Sequence, residues 1–150
     1  MDLGLKGRTA LITGGTKGIG QAIAQTLAAD GAHVAICARN AAEVEQSVQE
    51  LARHGVKAFG RAVDVGDGAA LQAWVTDAAV ALGGIDIVVA NVSALAIATD
   101  EAAWQRGFEV DMMGTVRLVN AAMPYLEQSS KASIVTISSV SGREIDFASG

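Results

Sequence analysis

A chain of 150 residues is the size of a single domain, and with 51% hydrophobic and 18% charged residues it is too apolar to be disordered. The net charge is −5 and the eleven basic residues are scattered, so no basic stripe is present to follow a nucleic acid backbone. The longest apolar stretches are strand-sized and the N-terminus has no signal-peptide pattern, so we expect a cytoplasmic protein without a membrane partner.

Apolar runs typical of buried strands alternate with helical patterns along the chain. The predicted strands cover residues 8–13, 33–38, 58–63, 86–91 and 133–138, and the predicted helices cover about 19–29, 41–53, 69–82 and 101–126. Strands interleaved with helices indicate parallel βαβ units, and runs rich in Val, Ile and Ala indicate strands covered on both faces. The sequence therefore predicts a doubly wound α/β fold, with five parallel strands, four helices and no internal domain boundary.

Metal-ligating residues are sparse in this sequence. The single cysteine, Cys37, cannot form an internal disulfide, and the two histidines, His33 and His54, are far apart and have no cysteine partner. We therefore expect no structural metal.

A glycine-rich loop separates the first predicted strand from the first predicted helix. It reads Thr13-Gly14-Gly15-Thr16-Lys17-Gly18-Ile19-Gly20. Main-chain N–H groups at a helix N-terminus bind phosphate where side chains are absent, so we expect Gly14 to form the turn, Gly18 to admit a pyrophosphate and Gly20 to let the helix pack. A tight turn without a ligand is the alternative. A Walker A loop is excluded because no Gly-Lys-Ser/Thr sequence ends the motif.

The end of the second predicted strand bears on the choice of coenzyme. An acidic side chain there would hold the 2′-hydroxyl of NAD, but the residues are Cys37-Ala38-Arg39-Asn40, and no carboxylate precedes Glu43. Arg39 and Lys17 are two cations suited to a 2′-phosphate, so the sequence predicts NADP(H) rather than NAD(H). The alternative is that Arg39 only solvates the end of the strand.

These motifs resemble the short-chain dehydrogenase/reductase family over essentially the whole chain. The loop from Thr13 to Gly20 matches the TGxxxGxG pattern of that family, and its members bind a dinucleotide on a Rossmann-like domain. The resemblance implies that Asp64 bonds the exocyclic amine of adenine and that Val65 packs on the ring. The alternative for Asp64 is that it opens a turn. The family's Asn-Asn-Ala-Gly motif reads Ala90-Asn91-Val92-Ser93 here, and the resemblance assigns Asn91 to the coenzyme site.

The resemblance also implies where the reacting centre lies. Ser139 matches by register the catalytic serine, whose hydroxyl would bond the substrate carbonyl oxygen, whereas a serine-rich loop that satisfies its own backbone is the alternative. Asp111 stands where the family carries an asparagine whose backbone carbonyl anchors an active-site water, so it is the second catalytic candidate.

The family's Tyr-x-x-x-Lys pair is expected just beyond Gly150. The single tyrosine, Tyr125, is followed four residues later by Ser129 and does not match that motif. We therefore expect these 150 residues to be the N-terminal part of a longer single-domain protein, in which the missing pair supplies the proton donor and the lysine that lowers its pKa.

The fourth predicted helix carries apolar residues at spacings of three and four, namely Trp104, Phe108, Met112, Val116, Val119 and Met123. Packing on the sheet is one interpretation of this stripe. The resemblance implies instead that the helix pairs with its copy in a second subunit. The low charge content also favours a homo-oligomer, a dimer or a tetramer.

The resemblance implies that the intact protein is an NADP(H)-dependent oxidoreductase that reduces a small-molecule ketone, such as a 3-oxoacyl compound, or oxidises the corresponding alcohol. A non-catalytic dinucleotide-binding module is the alternative, favoured by Asp111, by the altered motif at Asn91 and by the missing Tyr/Lys pair. An S-adenosylmethionine methyltransferase shares a glycine loop on a similar sheet, but it usually has an acid where Arg39 stands.

Overall fold

The computed structural model describes residues 1–96 and 98–139. Within these residues the strands are β1 (Thr9–Thr13), β2 (His33–Ala38), β3 (Ala58–Ala62), β4 (Ile87–Ala90) and β5 (Ser133–Thr136). The helices are α1 (Gly18–Ala29), α2 (Ala41–Ala52), α3 (Gly68–Leu82), α4 (Glu101–Gly107), a π-helical turn (Phe108–Met113) and α5 (Gly114–Leu126). The five described strands form one parallel sheet in the order β3-β2-β1-β4-β5. The predicted doubly wound α/β fold is confirmed.

The predicted helix over residues 101–126 is confirmed in its bounds, but it is not α-helical throughout. The chain instead passes from α4 through the π-helical turn into α5, and the N–H of Gly114 donates to the carbonyl of Glu109, five residues back. Gly114 also lets the helix lie close to the segment after β3, because a Cβ there would be 3.3 Å from Cγ2 of Val65. The other predicted elements are confirmed, with boundaries that differ by at most two residues.

Two apolar clusters cover the two faces of the sheet. Ile12 and Ile36 point to the face packed by α1 and α2, whereas Leu11, Cys37 and Val88 point to the face packed by α3 and α5. Alternate residues of one strand face opposite sides, so a strand buried on both faces must be apolar throughout. This burial explains the unbroken apolar runs of the sequence.

The order in which strands are added to the sheet reverses at β1. The chain adds β2 and β3 on one side of β1 and then places β4 on the other side. In open parallel sheets, ligands bind outside the carboxyl ends of the strands at such a switch point. Thr13 pairs with Cys37 on one side, and Ile12 pairs with Val89 on the other. The residues that follow β1, β2 and β4 therefore lie together at the carboxyl ends of the strands.

Asp86 joins the start of β1 to the segment after α5, at the amino ends of the strands. Its Oδ2 accepts hydrogen bonds from the backbone N–H (2.9 Å) and the hydroxyl (3.1 Å) of Thr9, and its Oδ1 accepts one from Ser129 (2.5 Å). Arg8 lies 3.5 Å from Oδ1. Burial would raise the pKa of Asp86, but the hydrogen bonds from Ser129 and Thr9 outweigh it, so the pKa lies below the usual value.

None of the described helices is both long and apolar enough to cross a membrane. The described residues also contain no group of three or more His, Cys, Asp or Glu that could hold a metal ion.

Candidate functional site

A cavity of about 720 Å³ opens at the switch point of the sheet. Five segments line it: the glycine loop, the end of β2 with the start of α2, residues 63–65 after β3, residues 91–95 after β4, and the helix that carries Arg106 and Val110. A cavity of this size and position suits an elongated small molecule that extends across the carboxyl edge of several strands.

The glycine loop is shaped by backbone constraints at Gly14 and Gly20. Gly14 has a φ of +68° and donates its N–H to the carbonyl of Cys37 (2.8 Å), which anchors the loop on β2. A Cβ on Gly20 would collide with the carbonyl of Gly14 and lie 2.5 Å from Nδ2 of Asn91. Gly18, in contrast, has nothing within 4 Å of the position a Cβ would occupy, so the loop is open on that side.

Helix α1 begins without a side-chain cap. Its N-cap residue, Lys17, forms no capping hydrogen bond, and the first turn carries no acidic residue. Asn40 caps α2 by accepting from the N–H of Glu43 (3.2 Å), and Asp67 caps α3 by accepting from Ala70 (3.0 Å). Helix α1 therefore begins beside the cavity-lining residues Thr16 and Lys17 with main-chain N–H groups that no side chain caps, as a phosphate site requires.

Asn91 fixes the glycine loop against the end of β4. Its backbone N–H donates to the hydroxyl of Thr13 (3.0 Å), and its Nδ2 donates to the carbonyls of Thr13 (3.1 Å) and Gly14 (3.3 Å). Asn91 lines the cavity, as predicted, but these donors hold the loop. Its contact with a coenzyme stays a prediction.

The two predicted cations at the cavity mouth differ in their surroundings. Nζ of Lys17 lies 2.7 Å from Oε1 of Glu43, whereas the exposed Arg39 forms no hydrogen bond or ion pair with any residue that the structure describes. Both side chains line the cavity. The positive charge of Arg39 is therefore the less compensated of the two. Glu43, which no sequence motif indicates, neutralises Lys17.

Asp64 lies two residues after the end of β3, and each oxygen of its carboxylate accepts a hydrogen bond. Its Oδ1 accepts from the N–H of Gly66 (2.9 Å), and its Oδ2 accepts from Nη2 of Arg106 (3.0 Å). The hydrogen bond from Gly66 is the largest cause that lowers the pKa of Asp64, and the charges of Arg106 and Arg39 lower it further. Asp64 thus opens a turn and also presents an ionised carboxylate to the cavity, so the two interpretations of this residue are compatible.

Asp111 braces the loop that follows β4. Its Oδ1 accepts from the N–H of Ala94 (2.6 Å) and its Oδ2 accepts from the hydroxyl of Ser93 (3.2 Å). Ser93 in turn accepts from the N–H of Leu95 (3.1 Å), which has a φ of +48°. The backbone carbonyl of Asp111 accepts from the hydroxyl of Thr115 (3.0 Å). The carboxylate of Asp111 therefore shapes the cavity wall, and Asp111 itself is not among the lining residues.

Ser139 lies beyond the end of β5 and is exposed. The N–H of Ile137 donates to the carbonyl of Ala90 (2.8 Å), which extends the pairing of β5 with β4 to within two residues of Ser139. Ser139 therefore lies beyond the carboxyl end of β5, as Asn91 lies beyond that of the neighbouring β4. It is not among the residues that line the cavity. Its catalytic role stays a prediction.

The structure brings most of the predicted coenzyme-binding residues to one cavity. The predicted residues that line it are Gly14, Thr16, Lys17, Arg39, Asp64, Val65 and Asn91. Gly18, Ile19 and Gly20 belong to the start of α1 next to it, where Ile19 is 61% exposed. Glu43 and Arg106 also line the cavity and were missed. The only sequence signals for them were an acidic residue in the first turn of α2 and a basic residue in the last turn of α4.

Cys37 lies in β2, two residues before Arg39, but it is buried and contributes no reactive group. Burial raises the pKa of its thiol to about 12, so the thiol stays protonated near neutral pH.

Four of the six residues of the apolar stripe on the helix from α4 to α5 do not pack on the sheet. Trp104 is 75% exposed, Phe108 56%, Met112 57% and Val116 41%. The interpretation of these four residues as sheet-packing is therefore wrong. They form an apolar face, here called the stripe face, that no residue in the described part of the chain covers.

Comparisons with known proteins agree with this geometry. The sequence model of the short chain dehydrogenase family matches residues 8–148. The chain is 42% identical over 147 residues to isoepoxydon dehydrogenase patN of Penicillium expansum, which covers 96% of this chain and 57% of that protein.

Two solved structures share the fold. A 7 alpha-hydroxysteroid dehydrogenase complexed with NADH and 7-oxo glycochenodeoxycholic acid matches with a TM-score of 0.88 and 29% identity, over 95% of this chain and 57% of that one. L-sorbose reductase from Gluconobacter frateurii, complexed with NADPH and L-sorbose, matches with a TM-score of 0.86 and 31% identity, over 93% of this chain and 55% of that one. The chain thus spans little more than half the length of these relatives.

Proposed function

Because the chain belongs to the short-chain dehydrogenase family, a family of oxidoreductases, we propose that the intact protein is an NADP(H)-dependent oxidoreductase that transfers hydride between the coenzyme and a small-molecule ketone or alcohol. One observation carries the choice of coenzyme. Arg39, the residue after β2, lines the cavity where an NAD-binding site would present a carboxylate, and it forms no ion pair with any described residue.

The described residues fit such a coenzyme along its whole adenosine half. The exposed N–H groups at the start of α1 would bind the pyrophosphate, and the open side of Gly18 leaves room for it. Arg39 would bind the 2′-phosphate, with Lys17 beside it. Asp64 would accept a hydrogen bond from the amine of adenine, and Val65 would pack on the ring.

The relatives do not decide between the two coenzymes. One of the similar structures is complexed with NADH and the other with NADPH. A guanidinium that binds a 2′-phosphate contributes about 1.5–3 kcal/mol through charge-assisted hydrogen bonds, which is about 10- to 150-fold in affinity. NADP(H) is therefore the coenzyme that this chain's own charges favour.

The reaction requires a group that orients the substrate oxygen, and Ser139 is proposed for this role. Bound NADPH would supply the hydride. The hydroxyl of Ser139 would donate a hydrogen bond to the carbonyl oxygen and stabilise the negative charge that develops there. Asp111 would act through its neighbours, because its carboxylate holds Ser93 and Ala94 in the wall of the cavity.

The substrate is proposed only as a class. The similar proteins act on or bind isoepoxydon, a 7-oxo bile acid conjugate and L-sorbose, according to their names. We accordingly propose a small molecule with a ketone or a secondary alcohol, of which a 3-oxoacyl compound is one example. We also propose a cytoplasmic homo-oligomer, for which the exposed stripe face is the supporting observation.

A non-catalytic dinucleotide-binding module is the second candidate. The observation that favours it is the charge at position 111, since the family asparagine is replaced by an aspartate whose carboxylate is used in wall contacts.

Turnover of the intact protein separates the two candidates. We expect NADPH oxidation with at least one member of a broad ketone panel. The Ser139→Ala variant should lose about 100-fold or more in kcat while the Kd for NADPH is unchanged. Ser138→Ala is the matched control, because it removes a neighbouring hydroxyl of the same loop and should retain activity. Saturable NADPH binding without oxidation across the panel would instead establish the binding module.

A further inference from the structure

We propose that Arg106 is a positioning residue for the adenine of the coenzyme, because it holds Asp64 so that the carboxylate faces the 6-amino group. This inference rests on the proposed function, since it assumes that a dinucleotide occupies the cavity. Nothing in the sequence motifs assigns a role to Arg106, which lies on α4, 42 residues from Asp64 along the chain.

The geometry places Arg106 and Asp64 together in the wall of the cavity. Nη2 of Arg106 lies 3.0 Å from Oδ2 of Asp64, and both residues line the cavity. Two other arginine–carboxylate pairs, Arg117 with Glu109 (2.8 Å) and Arg61 with Asp77 (2.5 Å), do not line it. The pair with Arg106 therefore differs from ordinary surface ion pairs in its position.

The carboxylate of Asp64 retains capacity for a ligand while it is held. An ionised carboxylate offers about four acceptor positions, and the contacts to Gly66 and Arg106 use one on each oxygen. An amino group can therefore add a further hydrogen bond without displacing either protein donor. A fixed carboxylate loses less side-chain freedom when it binds, so positioning by Arg106 strengthens that bond.

Gly66 keeps this arrangement open. A Cβ at Gly66 would lie 3.2 Å from Nη1 of Arg106 and 3.2 Å from Oδ1 of Asp64. The absence of a side chain therefore lets the guanidinium and the carboxylate share the space above the turn.

The test compares binding of NADPH with binding of its hypoxanthine analogue, in which a carbonyl oxygen replaces the 6-amino group. Titration calorimetry on the intact protein gives both dissociation constants without requiring turnover. The variants are Arg106→Gln, which removes the ion pair, and Arg106→Lys, which keeps the charge. Arg117→Gln is the matched control, because it removes an ion-paired arginine of the same helical stretch that does not line the cavity.

We expect the wild-type protein to bind NADPH about tenfold more tightly than the analogue, as a charge-assisted hydrogen bond predicts. Arg106→Gln should reduce this preference to about threefold or less, mainly by weakening NADPH. Arg106→Lys should restore part of the preference, and Arg117→Gln should leave it unchanged. Thermal unfolding of each variant confirms that the protein is folded.

Two results would overturn the inference while leaving the proposed function intact. One is a wild-type protein that binds NADPH and the analogue equally. The other is an Arg106→Gln variant that weakens both ligands by the same factor and so keeps the tenfold preference. A wild-type protein that binds neither NADPH nor NADH would contradict the proposed function itself, and the inference with it.

Discussion

The ammonium of Lys17 lies 2.7 Å from the carboxylate of Glu43 at the mouth of the cavity. This ion pair links the glycine loop to the first turn of α2, and both residues line the same cavity as Arg39. A 2′-phosphate bound at Arg39 would share the cavity mouth with the ammonium of Lys17, whose charge is compensated, and with the carboxylate of Glu43. Glu43 would therefore weaken phosphate binding in two ways. Its charge would repel the phosphate, and its ion pair compensates the charge of Lys17.

Removal of the Glu43 charge should strengthen NADPH binding. The Glu43→Gln variant is expected to bind NADPH about three- to tenfold more tightly, with little change for NADH, because exposed charge interactions contribute about 1 kcal/mol. Calorimetry with 2′,5′-ADP and 5′-AMP isolates the contribution of the 2′-phosphate. Glu45→Gln, an equal charge change on the exposed face of α2, should leave both affinities unchanged. Equal gains for NADPH and NADH would contradict the assignment.

The hydrogen bonds around Asp86 should make the fold sensitive to acid. The folded-state pKa of Asp86 is lowered, so its contribution is full above the unfolded-state value near 4 and is lost as pH falls through the folded-state value. Asp86→Asn should lower the free energy of unfolding by about 2 kcal/mol at pH 7, and the difference from wild type should shrink below about pH 4.

Denaturant unfolding of the intact protein at several pH values measures this difference. Asp77→Asn is the control, because the carboxylate of Asp77 forms an exposed ion pair with Arg61 and should contribute less than about 1 kcal/mol. A difference between wild type and Asp86→Asn that stays constant from pH 7 to pH 3 would show that ionisation of Asp86 does not stabilise the fold.

The stripe face should pair with a second copy of the chain. Phe108 belongs to the stripe face and is 56% exposed. The Phe108→Glu variant places a charge in that face and should shift the protein toward the monomer. Analytical ultracentrifugation checks the assembly state. Val80→Glu, at an 81% exposed residue of α3, is the control and should not change it. A wild-type protein that sediments as a monomer would refute the pairing.

The sequence was sufficient to predict the fold because the apolar pattern reports directly on burial. The unbroken runs around Ile12 and Ile36 are typical of strands covered on both faces, and the glycines between β1 and α1 mark the turn. Local patterns of this kind depend on residues that are close in sequence.

The missed features depend on contacts between distant segments. The pairing of Arg106 with Asp64 and of Asp111 with Ser93 is set by where the helix crosses the sheet, which periodicity does not report. The π-helical turn between Phe108 and Met113 also alters which side chains share a face. A periodicity of 3.6 residues therefore left two interpretations of the stripe open, packing on the sheet and pairing with a second subunit, and the structure leaves Trp104, Phe108, Met112 and Val116 exposed.

We propose that Arg39 selects a coenzyme with a 2′-phosphate, and the ratio of the dissociation constants for NADH and NADPH measures this selection. We predict that the wild-type protein binds NADPH at least about tenfold more tightly than NADH, and that Arg39→Ala abolishes most of this preference without weakening NADH. A wild-type protein that binds NADH as tightly as NADPH, or an unchanged ratio in Arg39→Ala, would contradict the account.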